Sequence, residues 1–203
     1  EIVVHYQPVI RVSDRGVAGL EALVRWAHPE RGLLAAESFA VLAEETGLID
    51  QIGRFVLETA SRDAARWRRM APQTPPLFVN VNVSARQVRE PGFADEILEL
   101  LRINGVPPES LVVELTEHAL IDLLVAYPIL GRLREAGVYV SLDDFGTGYS
   151  SLTQLRTLPV DEIKLDRSFT AALDEGDAKH SAVVQSVVAM AEALALRLVI
   201  EGI

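Results

Sequence analysis

Apolar residues along this chain fall into two kinds of pattern, short runs that alternate with a period of two and longer stretches with a period near 3.6. The first kind predicts strands near 2–10, 16–25, 77–83, 111–115, 138–143, 161–165 and 197–201, and the second predicts helices near 37–46, 50–70, 92–104, 128–136, 149–156 and 178–195. In the helix over 50–70, Asp50 stands where an N-cap belongs, and Ile52, Phe55, Val56, Thr59 and Ala60 share one face. Its arginines, Arg62, Arg66, Arg68 and Arg69, gather toward the C-terminal end, where the helix dipole favours cations. Pro128 fits the first turn of the next helix and Gly137 closes it. Strands alternating with helices are the mark of βα units around a parallel sheet, either a barrel or a doubly wound α/β sheet. Seven strands are visible, one short of a closed (β/α)₈ barrel, so either a last unit is missing or the sheet is open.

Composition narrows the classes. A chain of 203 residues that is 49% hydrophobic can bury one good core, and residues 1–203 read as a single domain. The absence of cysteine excludes disulfides, thiolate nucleophiles and zinc fingers, and leaves oxygen and nitrogen donors for any metal, which favours hard cations. A formal charge of −10 argues against nucleic-acid polymers and anionic membranes as partners. No apolar stretch approaches the ~20 residues that span a bilayer and no signal peptide is visible, so the expected location of this domain is cytoplasmic, with a membrane anchor elsewhere in a full-length protein left open. The chain opens on Glu1 and enters strand-like sequence at once, which suggests a domain from a longer polypeptide with sensory or regulatory parts upstream.

Polar residues recur at the ends of the predicted strands: Glu21, Asn82, Glu114, the adjacent Asp143 and Asp144, Lys164 and Glu201. In parallel strands these side chains converge on one rim, where barrels keep their sites. Singly, a strand-end acid is more often a cap or a solvated charge than a ligand, Asn82 can form an Asx turn, and Lys164 can be a surface charge. Together, so many carboxylates beside mainly one lysine and one arginine, Arg25, repel each other unless cations are present. Oxygen ligands with one amide suit Mg²⁺ or Mn²⁺, and adjacent aspartates can bridge two such ions for in-line displacement at phosphorus. Gly146 and Gly148 permit a tight turn after the acids but lack the spacing of a phosphate-binding loop. His5, His28, His118 and His180 share no ligand spacing, and Trp26 and Trp67 read as packing residues.

The ordered set of motifs is specific. Tyr-Gln-Pro at 6–8, Glu21-Ala-Leu23 followed by Val-Arg-Trp, Val-Asn-Val-Ser-Ala-Arg-Gln at 81–87, Glu114-Leu-Thr-Glu117, the Asp143-Asp-Phe-Gly-Thr-Gly-Tyr-Ser-Ser run and Lys164-Leu-Asp166 together resemble the EAL family of cyclic di-GMP phosphodiesterases over essentially the whole chain. The resemblance implies a modified TIM (β/α)₈ barrel, here without its C-terminal last unit, that hydrolyses cyclic di-GMP to linear 5′-pGpG with two divalent ions, Mg²⁺ or Mn²⁺, and is inhibited by Ca²⁺. It implies that Glu21, Asn82, Glu114 and Asp143 bind one ion and that Asp143 and Asp144 serve the second. Lys164 would hold the attacking water and the phosphate, and Glu201 would complete the site. Arg25 would contact a ligand phosphate, Gln7 and Leu23 would line the nucleotide pocket, Asp166 would support the site beside Lys164, and Glu117 would tether the Asp-Phe-Gly-Thr-Gly loop. A homodimer and an upstream sensory or diguanylate cyclase-like domain are further implications. The family's usual continuation after the last visible strand, Glu-Thr and then a ligand-binding glutamine, is absent, and Ile200 stands where a small residue is common. The rival reading is a catalytically silent receptor that binds cyclic di-GMP and signals to a partner domain; every metal ligand and the lysine being present weighs against it.

Overall fold

The computed structural model describes residues 1–70, 72, 75–116, 119, 123–146, 155–171 and 178–202. Eight strands form one sheet: β1 (Ile2–Ile10), β2 (Val17–His28), β3 (Gly32–Ala35), β4 (Phe78–Asn82), β5 (Leu111–Thr116), β6 (Tyr139–Phe145), β7 (Glu162–Leu165) and β8 (Arg197–Ile200). Among the described residues six α-helices accompany them: α1 (Ala40–Thr46), α2 (Leu48–Met70), α3 (Ala85–Val88), α4 (Phe93–Asn104), α5 (Leu123–Glu135) and α6 (Ala178–Ala193). The spatial order β1-β2-β4-β5-β6-β7-β8, parallel from β2 onward, curls into a partial (β/α)₈ barrel. No helix among the described residues is long and apolar enough to cross a membrane.

The first pair departs from the parallel order. β1 runs antiparallel to β2, because a connection of only residues 11–16 cannot make the crossover of a dozen or more residues that parallel strands need. The turn carries its own chemistry: Asp14 Oδ1 accepts from the Gly16 N–H at 2.9 Å, and Arg15 adopts φ 58°. Pairing Gln7 with Glu21 and His5 with Leu23 still brings β1 to the same rim. β2 continues to His28, past the expected end, and folds back as β3, a strand the alternation did not reveal because it has only four residues. His28 Nδ1 accepts from the backbone N–H of Glu30 and Arg31 and so shapes the turn between them, while His5 lies exposed.

Two helical expectations are also corrected. α2 begins at Leu48, so Asp50 lies inside its first turn and pairs with Arg86 at 2.7 Å instead of capping the helix. Its buried face is Gly53, Val56, Leu57, Ala60, Ser61, Ala64 and Ala65, rotated from the expected one, and Phe55 is exposed. The small residues decide this rotation: Gly53 faces Gln87, whose side chain lies 2.2 Å from where a Cβ would stand. α5 begins at Leu123, five residues before Pro128, so the proline sits inside the helix. Gly137 does close it, at φ 97°, with the Val138 N–H donating to the Leu133 carbonyl at 3.0 Å. The helix expected over 149–156 lies almost entirely outside the described residues, as do Gly148 and His118.

Alternation along each strand divides the molecule into two environments. Outward residues Val79, Val81, Leu111, Val113, Leu115, Val140, Leu142, Ile163 and Leu165 pack against Ile97 and Leu101 of α4 and Leu130 and Leu133 of α5 in one apolar core. Each fully buried aliphatic side chain there contributes roughly 1.5–3 kcal/mol. Inward residues Asn80, Glu114, Ser141, Glu162 and Lys164 are as deeply buried yet polar. At the lower end of the lumen Arg197 lies over the Tyr139 ring at 4.0 Å and 3.3 Å from Glu162, while Gly19 leaves room for the Phe78 ring. Trp67 packs edge-on against Tyr6, and Trp26 against Phe39, both as structural aromatics.

Candidate active site

The predicted rim residues meet at Lys164. Its Nζ, 2% exposed at the side chain, lies 3.2 Å from Glu21, 3.3 Å from Glu114, 3.2 Å from Asp143 and 3.0 Å from Glu201. Register explains the convergence: β2 and β4 pair in step, Asn82 stands beside Glu114, Asp143 follows Ser141, the partner of Glu114, and Lys164 pairs with Val199 two residues before Glu201. Each side chain thus lands near one height of the barrel from a different strand. Four carboxylates against one ammonium leave a formal excess of three negative charges at the floor of a cleft.

Burial and charge act in opposite directions on these groups. Burial alone would lower the Lys164 pKa, but Glu114, Asp143, Glu21 and Glu201 outweigh it and hold the ammonium far above its ordinary range. Glu114 is pushed well up, by burial first and then by Glu21 and Asp143, against the pull of Lys164 and Asn80. Asp144 is raised by burial and by the neighbouring carboxylates Asp143, Asp166 and Glu201. Asp166 is lowered, chiefly by hydrogen bonding from Ser168, and it caps the short helix at Arg167–Phe169.

A bulge separates the two aspartates in role. The β6–β7 register breaks between Leu142 and Phe145, and Asp144 within that break adopts φ 54°, a left-handed conformation that Asp tolerates better than most residues. Its backbone N–H donates to Asp143 Oδ1 at 3.0 Å. Asp143 joins Glu21 and Glu114 in a cluster whose ligand atoms all lie within 4.8 Å of one another, while Asp144 lines the cleft beside it. Asn82 donates to Glu21 Oε1 at 3.2 Å and is bound into the cluster through that acid. Glu114 Oε2 is buried with no hydrogen-bond partner. A compact oxygen cluster with uncompensated charge and an unpartnered carboxylate oxygen fits a hard divalent cation.

Around the cluster opens a cleft of about 1920 Å³ lined by Gln7, Leu23, Arg25, Asn82, Asp144 and Asp166, among others. It exceeds the roughly 300–1,000 Å³ of an ordinary ligand pocket because it continues down the lumen to Glu162 and Arg197. Arg25 donates to the Val24 carbonyl at 2.8 Å and lines the cleft with its side chain. Glu117 lies outside the described residues. The Val-Ser-Ala-Arg-Gln motif proves architectural: Ser84 and Gln87 form a reciprocal capping box at α3, and Gln87 fills the space beside Gly53. Asn80 escaped notice in the sequence, although it stands two residues before Asn82 and therefore on the same face of β4; its Nδ2 donates to Glu114 Oε1 at 2.6 Å.

Comparison with known proteins agrees with this architecture. The family model for the EAL domain matches residues 1–203. The cyclic di-GMP phosphodiesterase NbdA of Pseudomonas aeruginosa is 41% identical over 204 residues, covering 100% of this chain and 26% of the relative. The bifunctional diguanylate cyclase/cyclic di-GMP phosphodiesterase MucR of the same organism is 40% identical over 204 residues, covering 100% and 29%. The chain thus spans about a quarter of the length of the curated relatives it matches. A solved structure of the MucR phosphodiesterase in complex with cyclic di-GMP superposes with a TM-score of 0.91 at 39% identity, covering 100% of this chain and 81% of that one.

Proposed function

The chain belongs to the EAL domain family, and from that membership we propose that it is a metal-dependent phosphodiesterase that opens one phosphodiester bond of cyclic di-GMP to give linear 5′-pGpG. The observation that carries the proposal is the buried cluster of Glu21, Glu114 and Asp143 gathered around Lys164. A divalent ion, Mg²⁺ or Mn²⁺, held there with Asn82 and a second served by Asp143 and Asp144 would neutralise the excess charge and acidify a water for attack at phosphorus.

The chain's own residues account for the rest. The carboxylates around Lys164 favour its ammonium form, so its part is electrostatic: it holds the water and the phosphate and stabilises charge developing on the phosphoryl oxygens. Asp144, placed at the cleft beside the cluster, is suited to take the water's proton. Glu201, bound to Lys164 and a third exposed, faces the same space and orients water. Arg25 at the cleft receives a phosphate bidentately, and Gln7 and Leu23 line the nucleotide pocket, with Asp166 as support beside Lys164. Water adds its oxygen to phosphorus, the bond to the 3′ oxygen breaks, and the proton passes to the leaving alkoxide. Because the chain spans about a quarter of its relatives' length, we extend the proposal to a larger protein of which this chain is one module, with an upstream sensory or diguanylate cyclase-like module, and to homodimerisation.

The test is product analysis on cyclic di-GMP with Mg²⁺ or Mn²⁺, with and without EDTA, for the wild type and Asp143→Ala. Linear product that requires the cation and is lost with Asp143 supports the proposal. Product persisting in EDTA refutes it, and tight ligand binding without product under either cation assigns the chain to the silent receptors instead.

A further inference from the structure

Asn80 touches neither solvent nor the cleft: it is 0% exposed and absent from the cleft lining, deep in the lumen below Asn82. Burying an amide there costs roughly 1–3 kcal/mol unless it is hydrogen-bonded, and an aliphatic residue, such as the inward Val112 on the next strand, would pack without that cost. The amide makes one side-chain bond, from Nδ2 to Glu114 Oε1 at 2.6 Å, while its Oδ1 has no partner. Turning the amide over would set that oxygen against the carboxylate, so the orientation follows from the chemistry. Glu114 Oε1 is also 3.3 Å from Lys164 Nζ. Both donors therefore engage the same oxygen, and the carboxylate cannot rotate without breaking a short charge-assisted bond. The other oxygen, Oε2, is left buried without a donor.

We propose that Asn80 is a positioning residue for cation binding: by holding Glu114 Oε1 from behind, it fixes the carboxylate so that Oε2 is the oxygen presented to the ion. The proposal rests on the metal-dependent reading of the site. Outer groups of this kind orient ligands, and their loss lowers metal affinity by roughly 10–100-fold. Unlike a residue that contacts substrate, Asn80 should act on the metal dependence of turnover and not on the Michaelis constant for the nucleotide.

Mn²⁺ titration by calorimetry, and by the electron paramagnetic resonance of free Mn²⁺, tests this on the wild type, Asn80→Ala, Asn80→Leu and a neighbouring control, Val112→Ala. The leucine keeps the branched shape without the bond and answers the question if the alanine variant fails to fold. The expected result is a loss of about 10–100-fold in Mn²⁺ affinity for both Asn80 variants and little change for Val112→Ala. Turnover should recover on raising Mn²⁺, with KM for cyclic di-GMP at saturating Mn²⁺ unchanged. Wild-type affinity in a folded Asn80→Leu, or an equal loss in Val112→Ala, overturns the proposal. Absence of Mn²⁺ binding by the wild type is a separate outcome, which overturns the metal reading and this role with it.

Discussion

Replacing Lys164 by methionine keeps a flexible side chain of similar length in the lumen and removes the ammonium that four carboxylates surround. At an effective dielectric near 20 and the observed 3.0–3.3 Å, each attraction is about 5 kcal/mol gross, which desolvation of the buried groups largely offsets. Glu201, a third exposed, counts least, and Glu114, fully buried, counts most. Removing one partner of such a cluster costs on the order of 3–5 kcal/mol, because the acids stay buried and unpaired. In a domain of this size that lowers Tm by roughly 6–20 °C. The sign of the pH dependence follows from the acids. The raised Lys164 pKa keeps its own contribution present throughout pH 5–8, since it would be lost only as pH rises through that folded value. Glu114, whose folded pKa is raised, binds a proton in the native state that the unfolded chain releases above about 4.5, so stability falls as pH rises, and more steeply without Lys164. Thermal melts at pH 5 and pH 8, in EDTA and in Mg²⁺, therefore have a defined pattern: the variant suffers most at pH 8 in EDTA and is partly rescued by acid or by Mg²⁺. A Lys164→Met Tm within about 2 °C of wild type at pH 8 in EDTA, where the expected shift is several-fold larger, would refute the reasoning.

Arg197→Leu takes from the buried Glu162 its nearest cation and should cost about 1–3 kcal/mol at pH 8, less than a fully buried pair because the Arg197 side chain is 40% exposed. Burial already raises the Glu162 pKa against the pull of Arg197, so protonation should shrink the loss at pH 5, which parallel denaturant melts would show. Tyr6→Phe removes the hydroxyl that donates to Asp63 Oδ2 at 2.6 Å and should cost about 1.5–3 kcal/mol by urea unfolding. Burial and Asp63 hold that phenol above its ordinary range, so an ultraviolet difference titration between wild type and Tyr6→Phe should show no ionisation of Tyr6 at pH 10. Gly146→Ala places a Cβ 2.6 Å from the Phe169 ring at φ 96°, and should destabilise by about 1–3 kcal/mol by the same unfolding assay.

What could be read from the sequence is what a period of two encodes. Strand positions, the rim residues and their convergence follow from alternation plus parallel pairing, and among the described residues seven of the eight strands and five of the six α-helices have counterparts among the expectations. Lys164 was legible as a rim residue but not as the centre of the cluster, because that depends on register: Glu21, Glu114, Asp143 and Glu201 come from four strands whose heights no local pattern specifies. The antiparallel β1 was legible in the shortness of residues 11–16. The rotated face of α2 was not, since it is set by Gly53 accepting Gln87 from a helix thirty-odd residues away. Asp144's left-handed backbone belongs to the bulge and leaves no trace in composition.

The division between outward and inward residues explains how a lumen so rich in charge coexists with a stable fold. The apolar packing that holds the chain together lies between strands and helices, in residues such as Val81, Val113, Leu130 and Ile163, each with no measurable exposure. The lumen contributes little apolar burial and is therefore free to hold Asn80, Glu114, Ser141, Glu162 and Lys164. Substitutions on the two sides should accordingly follow different laws. Outside, Leu130→Ala should cost about 2–5 kcal/mol in proportion to the cavity it leaves, at any pH and with or without cation. Inside, cost should track charge and partner, so that Lys164→Met and Arg197→Leu depend on pH while similar changes in volume without a change in charge, such as Val112→Ala, do not. A lumen whose substitutions scaled with volume alone would mean that its polar groups are packing residues, and the electrostatic account of the site would fall with it.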